Sequence, residues 1–434
     1  MSRRNSKKKA RHLGAISTRF AGTDGVSLEM AKWADVLEQM GHTCFYFAGE
    51  LDRPPERSML VEEAHFAHHE IRDIYSHCFK TRARKPEVTK KIYEVKEHLK
   101  EKLYEFIETF DIDLLILQNA LTIPLNVPLG IAITEVLAET GLPAIAHHHD
   151  FFWERKRFLV NAVWDYLNMA FPPHLPNIHH VVINSSAGNQ LSLRTGVSSM
   201  LIPNVMDFDN PPPPRDEYSA DVRESFGIED DELLILQPTR VVKRKGIETS
   251  IELTRRLGRK AKLVISHAAD DEGHGYQERV REYSALFDVD TLFVSGTIGE
   301  RRGTTSDGKK IYTIWDVYPY ADLVTYPSTF EGFGNAFLET LYFKRPIAVN
   351  IYSVYATDIK PKGFKVIELD DYITDSSIRL TRQILANPKM AEELVEHNYD
   401  LGKRYYSYRM LRKKLSILLS ESFGADQPPP ARWQ

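Results

Sequence analysis

Four charged side chains, in a fixed order along the second half of the chain, are the first candidates for chemistry. Arg240 and Lys245 follow the apolar run Leu233–Gln237, and Gly246 closes their loop. An arginine grips two anionic oxygens at once and a lysine adds a compact charge. The pair therefore suits a diphosphate; a solvated basic loop is the competing explanation. Glu331 and Glu339 come later, with Gly332 and Gly334 between them and a helix start expected near Asn335. Within one continuous helix their spacing would turn them about 80° apart. Placing Glu331 in the loop and Glu339 inside the helix lets both face one cleft at different depths. The free N–H groups of that helix start suit phosphate or sugar oxygens. A carboxylate beside a diphosphate is costly unless it binds hydroxyls, so ribose and sugar hydroxyls are the natural partners.

A second group lies in the first half, in His147-His148-His149-Asp150 after the strand-like Pro143–Ala146. Metal binding, a structural role and sugar contact are all open to it. Consecutive strand residues point to opposite faces, which disfavours one ion held by three successive histidines. Nearby, the amide- and proline-rich segment Gln118–Pro128, with Asn119, suits polyol or carboxylate recognition, or is a plain loop. Trp153, Glu154 and Arg155 follow the histidines. Arg19, Arg155, Lys156 and Arg157 either meet an anionic substrate or simply solvate the surface. His65, His68 and His69 fall on an expected helix near Glu62 and Glu63; a solvated face is favoured over a metal site.

The elements that must position these groups alternate regularly. His12–Ser17 reads as a strand. A glycine loop, Gly22 to Gly25, leads to a helix through Met30, Ala34, Leu37 and Met40, with Ser27 as its cap and Gly41 as its stop. Thr43–Ala48, Leu114–Leu117, His180–Asn184 and Met200–Pro203 are further strands, with helices at Glu94–Phe110 and Ile131–Glu139. Leu114–Leu117 is apolar throughout, as in a parallel sheet covered on both faces. Pro211–Pro214 should be a stiff linker. Alternation then restarts: Leu233–Gln237, Ala261–Ser266, Thr291–Val294, Leu323–Tyr326 and Pro346–Val349 as strands, Gly246–Leu257 and Gln277–Leu286 as helices. The expected fold class is α/β, with two doubly wound Rossmann-like domains facing across a cleft, where strand ends gather ligands. The first should span 11–208, completed by a helix at 400–422, and the second 215–399. Residues 1–10 and 423–434 read as disordered tails. Tyr399, Tyr405, Tyr406 and Tyr408 should pack the terminal helices and anchor the last one on the first domain.

The whole-chain balance narrows the function. With 434 residues, 42% hydrophobic and a net charge of −4, the chain can build cores and is not a general nucleic-acid binder. Two cysteines, Cys44 and Cys78, are too few for a disulfide framework. No apolar run reaches membrane-span length, so a cytoplasmic location is expected. The basic N-terminus could touch lipid or RNA but is read as a solvated end.

Taken together, these motifs resemble the family 4 retaining glycosyltransferases of GT-B fold. The Glu331-to-Glu339 segment after Tyr326-Pro327-Ser328 looks like that family's paired-glutamate motif. Arg240…Lys245-Gly246 looks like its diphosphate site. Pro203-Asn204-Val205-Met206-Asp207 is similar to its domain boundary, with Val205 in place of the usual glycine, and Gly22–Gly25 resembles its N-terminal glycine loop with two extra residues. The resemblance runs over most of residues 11–420. It implies that Arg240 and Lys245 hold the diphosphate and stabilise the leaving group, that Glu339 binds ribose and that Glu331 approaches the donor sugar. Further contacts would come from Phe333, Gly334, Asn335 and Gly25. It also implies that His149, or failing that His148, contacts the hexose; Asp150, Asn119 and Arg155, beside it in sequence or in the amide-rich loop, are further candidates for substrate contact.

The histidine run and the amide loop further resemble the mannosyltransferases that make mannosylglucosylglycerate-type compatible solutes. That implies GDP-mannose as donor and a small anionic acceptor such as glucosylglycerate or its phosphate. The expected reaction needs no resident cofactor, and a divalent metal would at most stimulate it. A UDP-glucose-dependent glucosyltransferase, a nucleotide-sugar 2-epimerase and a non-catalytic sugar-nucleotide-binding protein are the alternatives. Homo-oligomer formation is left open.

Overall fold

A computed structural model describes residues 10–22, 24–269 and 274–424. The terminal tails expected to be disordered lie almost wholly outside these residues. The chain forms two compact units. One holds the described residues through Pro203 together with those from Arg409 onward; the other is Asn204–Tyr408. The tetraproline run therefore falls inside the second unit. Among the described residues, no helix is long and apolar enough to cross a membrane.

The first unit is built on seven strands: β1 (His12–Ile16), β2 (Thr43–Ala48), β3 (Ser58–Leu60), β4 (Leu114–Gln118), β5 (Ala144–His148), β6 (Ile178–Val182) and β7 (Met200–Leu201). They pair in the order β3-β2-β1-β4-β5-β6-β7, all parallel. The order reverses between β1 and β4. At such a switch point successive crossovers leave on opposite faces, which opens a crevice at the strand ends. β4 and β5 are buried along their whole length, including the polar residues Gln118, His147 and His148 at their carboxyl ends.

The second unit repeats the plan with β8 (Leu233–Gln237), β9 (Ala261–Ile265), β10 (Asp290–Phe293), a short hairpin of β11 (Gly303–Thr304) and β12 (Lys310–Ile311), then β13 (Leu323–Tyr326), β14 (Ile347–Asn350) and β15 (Ile367–Leu369). The main sheet runs β10-β9-β8-β13-β14-β15, again all parallel, with its switch point between β8 and β13. β4 and β8 have the same five residues, Leu-Leu-Ile-Leu-Gln. Each brings a buried glutamine to the switch point of its own sheet.

Several element ends differ from the sequence reading, each for a local reason. The first helix spans Gly25–Gln39 and is capped by Asp24, not Ser27: its carboxylate accepts from the Val26 and Ser27 N–H groups at 3.0 and 3.3 Å. The helix expected from Glu94 starts at Pro86, because proline is well suited to a first turn. The helix expected at Ile131 starts at Val127, capped by the Asn126 side chain, which accepts from Leu129 N–H at 3.0 Å. His65, His68 and His69 do not share a helix face. A short turn, Glu62–Ala64, ends before His65, and only His69 enters the helix His69–Cys78. Tyr399 and Tyr406 pack inside the second unit: the Tyr399 hydroxyl donates to Phe208 O at 3.0 Å, and Tyr406 stacks on Phe364. The final helix Tyr408–Phe423 belongs, from Arg409 onward, to the first unit. Arg412 donates to Gln39 Oε1 at 2.5 Å and the Arg11 guanidinium sits 4.1 Å above the Phe423 ring.

Candidate active site

In the second unit, the loops after β8 and β13 meet because their strands are neighbours. Gly246 ends the first loop in a left-handed conformation, φ +60°, and opens the helix Ile247–Leu257. A Cβ there would lie 2.4 Å from the carbonyl oxygen of Pro327, so only glycine allows this approach. The Thr329 N–H donates to Arg244 O at 2.9 Å and sews the loops together. The result is a buried ion pair: Lys245 Nζ donates to Glu331 Oε1, with each residue less than one-tenth exposed. Arg244 Nη1 reaches the same oxygen at 3.0 Å. Burial pushes the Lys245 ammonium below its ordinary value, against the pull of Glu331. For Glu331, burial alone would raise the carboxyl, but Lys245 and Arg244 outweigh it and hold the group below its usual range. Arg240 stands exposed in the loop just beyond β8. His267, beyond β9, is depressed by burial and by the nearby charges of Arg240 and Lys245.

Glu339 is where the spacing placed it, inside the helix Asn335–Tyr342. One of its oxygens accepts from the hydroxyl of the buried Tyr318 at 2.8 Å. Tyr318 is itself stacked on Phe343, with centroids 4.9 Å apart and planes 3° off parallel. Glu331 stays in the loop before this helix, so the two carboxylates point to different partners. Gly334 precedes the helix at φ +117°, and a Cβ there would meet the Tyr352 hydroxyl at 2.8 Å. That hydroxyl donates to Phe333 O at 2.6 Å. Asn335 accepts from Asn204 Nδ2 at 2.7 Å through its side chain, leaving its backbone at the helix start.

In the first unit the histidine run is divided by the strand alternation. His147 and His148 lie on opposite faces of β5, and His149 comes just past its end. His148 is fully buried, with Thr122 Oγ1 2.6 Å from its Nδ1 and His180 Nδ1 2.9 Å from its Nε2. Both ring nitrogens are engaged in the interior, so the fallback assignment of His148 to the hexose does not fit. His149 is partly exposed and bonds to the end of β4: its N–H donates to Asn119 Oδ1 at 3.1 Å, and its Nε2 lies 3.1 Å from Gln118 Oε1. Asn119 adopts φ +59° to make this turn and also donates to Asp150 Oδ1 at 3.3 Å. Both ends of its amide are thus engaged within the site. Arg155 pairs with Asp150, and Arg19 with Asp24 at 3.4 Å. Gly25 is exposed at the N-terminus of its helix. Among the described residues, no three histidine, cysteine or acidic side chains gather closely enough to hold a metal ion.

Arg244, Tyr318 and His267 take part in these arrangements without having been singled out from sequence, and Gln118 was marked only as the first residue of the amide-rich segment. Arg244 was hidden in the run Lys243-Arg244-Lys245, of which Lys243 stays exposed while Arg244 and Lys245 both reach Glu331. Gln118 did carry a signal: a polar residue ending an otherwise apolar strand. Tyr318 and His267 are distant in sequence from the motifs they support, and nothing local marks them.

Comparison with solved structures places this architecture. A glycosyltransferase from Rickettsia africae superposes over 96% of this chain and all of its own, with a TM-score of 0.69 at 15% identity. Sucrose-phosphate synthase from Thermosynechococcus elongatus gives 0.66 at 14%, again over 96% of this chain and all of that one. No protein-family model matches the chain. Mannosylglucosylglycerate synthase from Petrotoga mobilis is 30% identical over 445 residues, 92% of this chain and 99% of that protein. The enzyme of the same name from Thermotoga maritima is 32% identical over 429 residues, 91% of this chain and 96% of its own. Two parallel, doubly wound units with polar groups at their switch points, and these relatives, define a glycosyltransferase of GT-B fold. More narrowly, the chain belongs to the mannosylglucosylglycerate synthase family.

Proposed function

We propose that this protein transfers a mannosyl group from GDP-mannose to glucosylglycerate with retention of anomeric configuration. The observation that carries the reading is the near end-to-end likeness to two relatives bearing the name mannosylglucosylglycerate synthase. A likeness to mannosylglucosyl-3-phosphoglycerate synthase of Petrotoga mobilis is weaker, 23% over 55% of this chain and 49% of that one, so the unphosphorylated acceptor is favoured.

The site chemistry is compatible with this reading. Negative charge grows on the diphosphate as the glycosidic bond breaks, and cations already in place respond without reorganising. Arg240 and Lys245 fill that role in the second unit. Glu339 binds the ribose hydroxyls, Glu331 approaches the donor sugar, and the backbone from Phe333 to Asn335 takes further contacts. In the first unit His149 contacts the hexose, with Gly25, Asn119, Asp150 and Arg155 serving the acceptor. The cations make a metal unnecessary to the transfer.

The test supplies purified protein with GDP-mannose or UDP-glucose, and with glucosylglycerate or its phosphate, and follows nucleotide release. The product's anomeric configuration is then read by NMR coupling. Turnover is expected with GDP-mannose and glucosylglycerate, giving an α-linked product. Turnover with UDP-glucose alone, or an inverted product, would overturn the proposal.

A further inference from the structure

Gln118 is wholly buried at the carboxyl end of β4. Its Oε1 lies 3.1 Å from His147 Nδ1 and 3.1 Å from His149 Nε2. Its amide nitrogen points away, 3.3 Å from the sulfur of Met30. Turning the amide over would set the carbonyl oxygen against that sulfur, acceptor against acceptor. A carboxamide oxygen only accepts, so both imidazole nitrogens facing it must carry protons. A neutral imidazole has one N–H. His149 therefore keeps a bare lone pair on Nδ1, and among the described residues nothing bonds to it.

The surroundings favour the neutral ring. Burial brings His149 down to about 4, with Lys32 adding to the effect and Asp150 and Asp24 opposing it. Burial also holds His147 well below its ordinary value. Arg155 pairs with Asp150 and offsets its charge. The ring is fixed in place as well: it lies 4.5 Å from that of His147, which stacks on Trp33 at 4.4 Å and 24°.

We propose that Gln118 is a positioning residue that locks His149 as its Nε2–H tautomer, so that His149 accepts a hydrogen bond from a hydroxyl of the transferred sugar. The substrate half of this rests on placing His149 at the hexose; the tautomer half does not. It assigns His149 the role of acceptor, not of general acid, and makes it selective for a sugar position that carries a hydroxyl donor.

Nitrogen-15 correlation spectra of the full-length protein read the tautomer, with His149→Gln used to assign the signal. The Nε2–H form is expected, and an Nδ1–H form overturns the lock. Gln118→Glu places a carboxylate against Nε2 and stabilises the imidazolium. His149 then titrates higher, and the acidic limb of kcat/KM moves up in pH. Gln118→Met releases the tautomer and lowers kcat/KM for the parent donor about tenfold, the scale of one hydrogen bond. A donor with fluorine in place of the recognised hydroxyl cannot donate, so wild type and Gln118→Met use it equally poorly. If the spectrum shows Nε2–H but the wild type outperforms Gln118→Met on every fluorinated donor, the substrate hydrogen bond is refuted and the transferase reading stands. If no nucleotide sugar turns over, the proposed function fails, and the spectrum still decides the tautomer.

Discussion

Lys245 and Glu331, 86 positions apart in sequence, form a buried ion pair that joins the two loops at the switch point of the second sheet. Removing one partner of such a pair strands a charge in the interior, typically at about 3–5 kcal/mol. Lys245→Met should therefore both destabilise the protein and cut turnover by about 10²–10³-fold, the scale for losing one preorganised charge contact. The double variant Lys245→Met/Glu331→Gln should regain much of the stability but none of the rate. Denaturant melts and steady-state kinetics on the same samples separate the two. Recovery of turnover in the double variant would remove Lys245 from the diphosphate site.

Glu339→Ala should weaken nucleotide binding more than it slows turnover at saturating donor. Tyr318→Phe removes only the hydroxyl that holds Glu339, while keeping the stack on Phe343. A hydrogen bond to a charged group is worth about 1.5–3 kcal/mol, so titration calorimetry should show nucleotide affinity falling by roughly tenfold or more. Equal affinity in Tyr318→Phe would mean that Glu339 needs no such support.

Stability should depend on pH through the buried histidines of the first unit. Burial depresses His147 and His148 well below 6.5 and brings His149 and His180 to about 4. The unfolded chain binds these protons more readily, so their contribution is complete above pH about 6.5 and is lost as pH falls toward about 4. Unfolding free energies from denaturant melts between pH 8 and 4 should fall by roughly several kcal/mol in that window. A flat profile would contradict the burial of the His148–His180 pair.

Gly246→Ala should be costly out of proportion to its size. It forces an L-residue into φ +60° and drives a methyl group to 2.4 Å from Pro327 O. Strain of this kind costs about 1–3 kcal/mol before any clash. Separating the two loops should also loosen nucleotide binding, visible as a loss of the thermal shift given by GDP. Gly141→Ala has open space around it; it carries the φ penalty alone and serves as the control.

Chelation should leave most of the activity intact if, as proposed, Arg240 and Lys245 supply the positive charge that the leaving diphosphate needs. Activity measured after dialysis against EDTA, then with magnesium or manganese restored, tests this. Complete loss with full recovery on metal addition would show that these two cations are not sufficient.

The amino-acid sequence by itself determined the strands and the α/β alternation, because Leu114–Gln118 and Leu233–Gln237 are too apolar to lie anywhere but inside a covered sheet. It also determined that Glu331 and Glu339 fall on different elements, since two glycines precede a helix start between them. Those are local constraints of periodicity and backbone freedom. Only the tertiary structure decided which side chains meet. Arg244 rather than Lys243 turns onto Glu331, Tyr318 supports Glu339, and Gln118 stands between two histidines, because the order of strands in each sheet brings remote loops together. Strand order is set by packing across the whole unit, and no stretch of local sequence encodes it. The separation of His148 from His149 had the same origin: one faces the interior toward β6, while the other passes the end of β5 and turns back to β4.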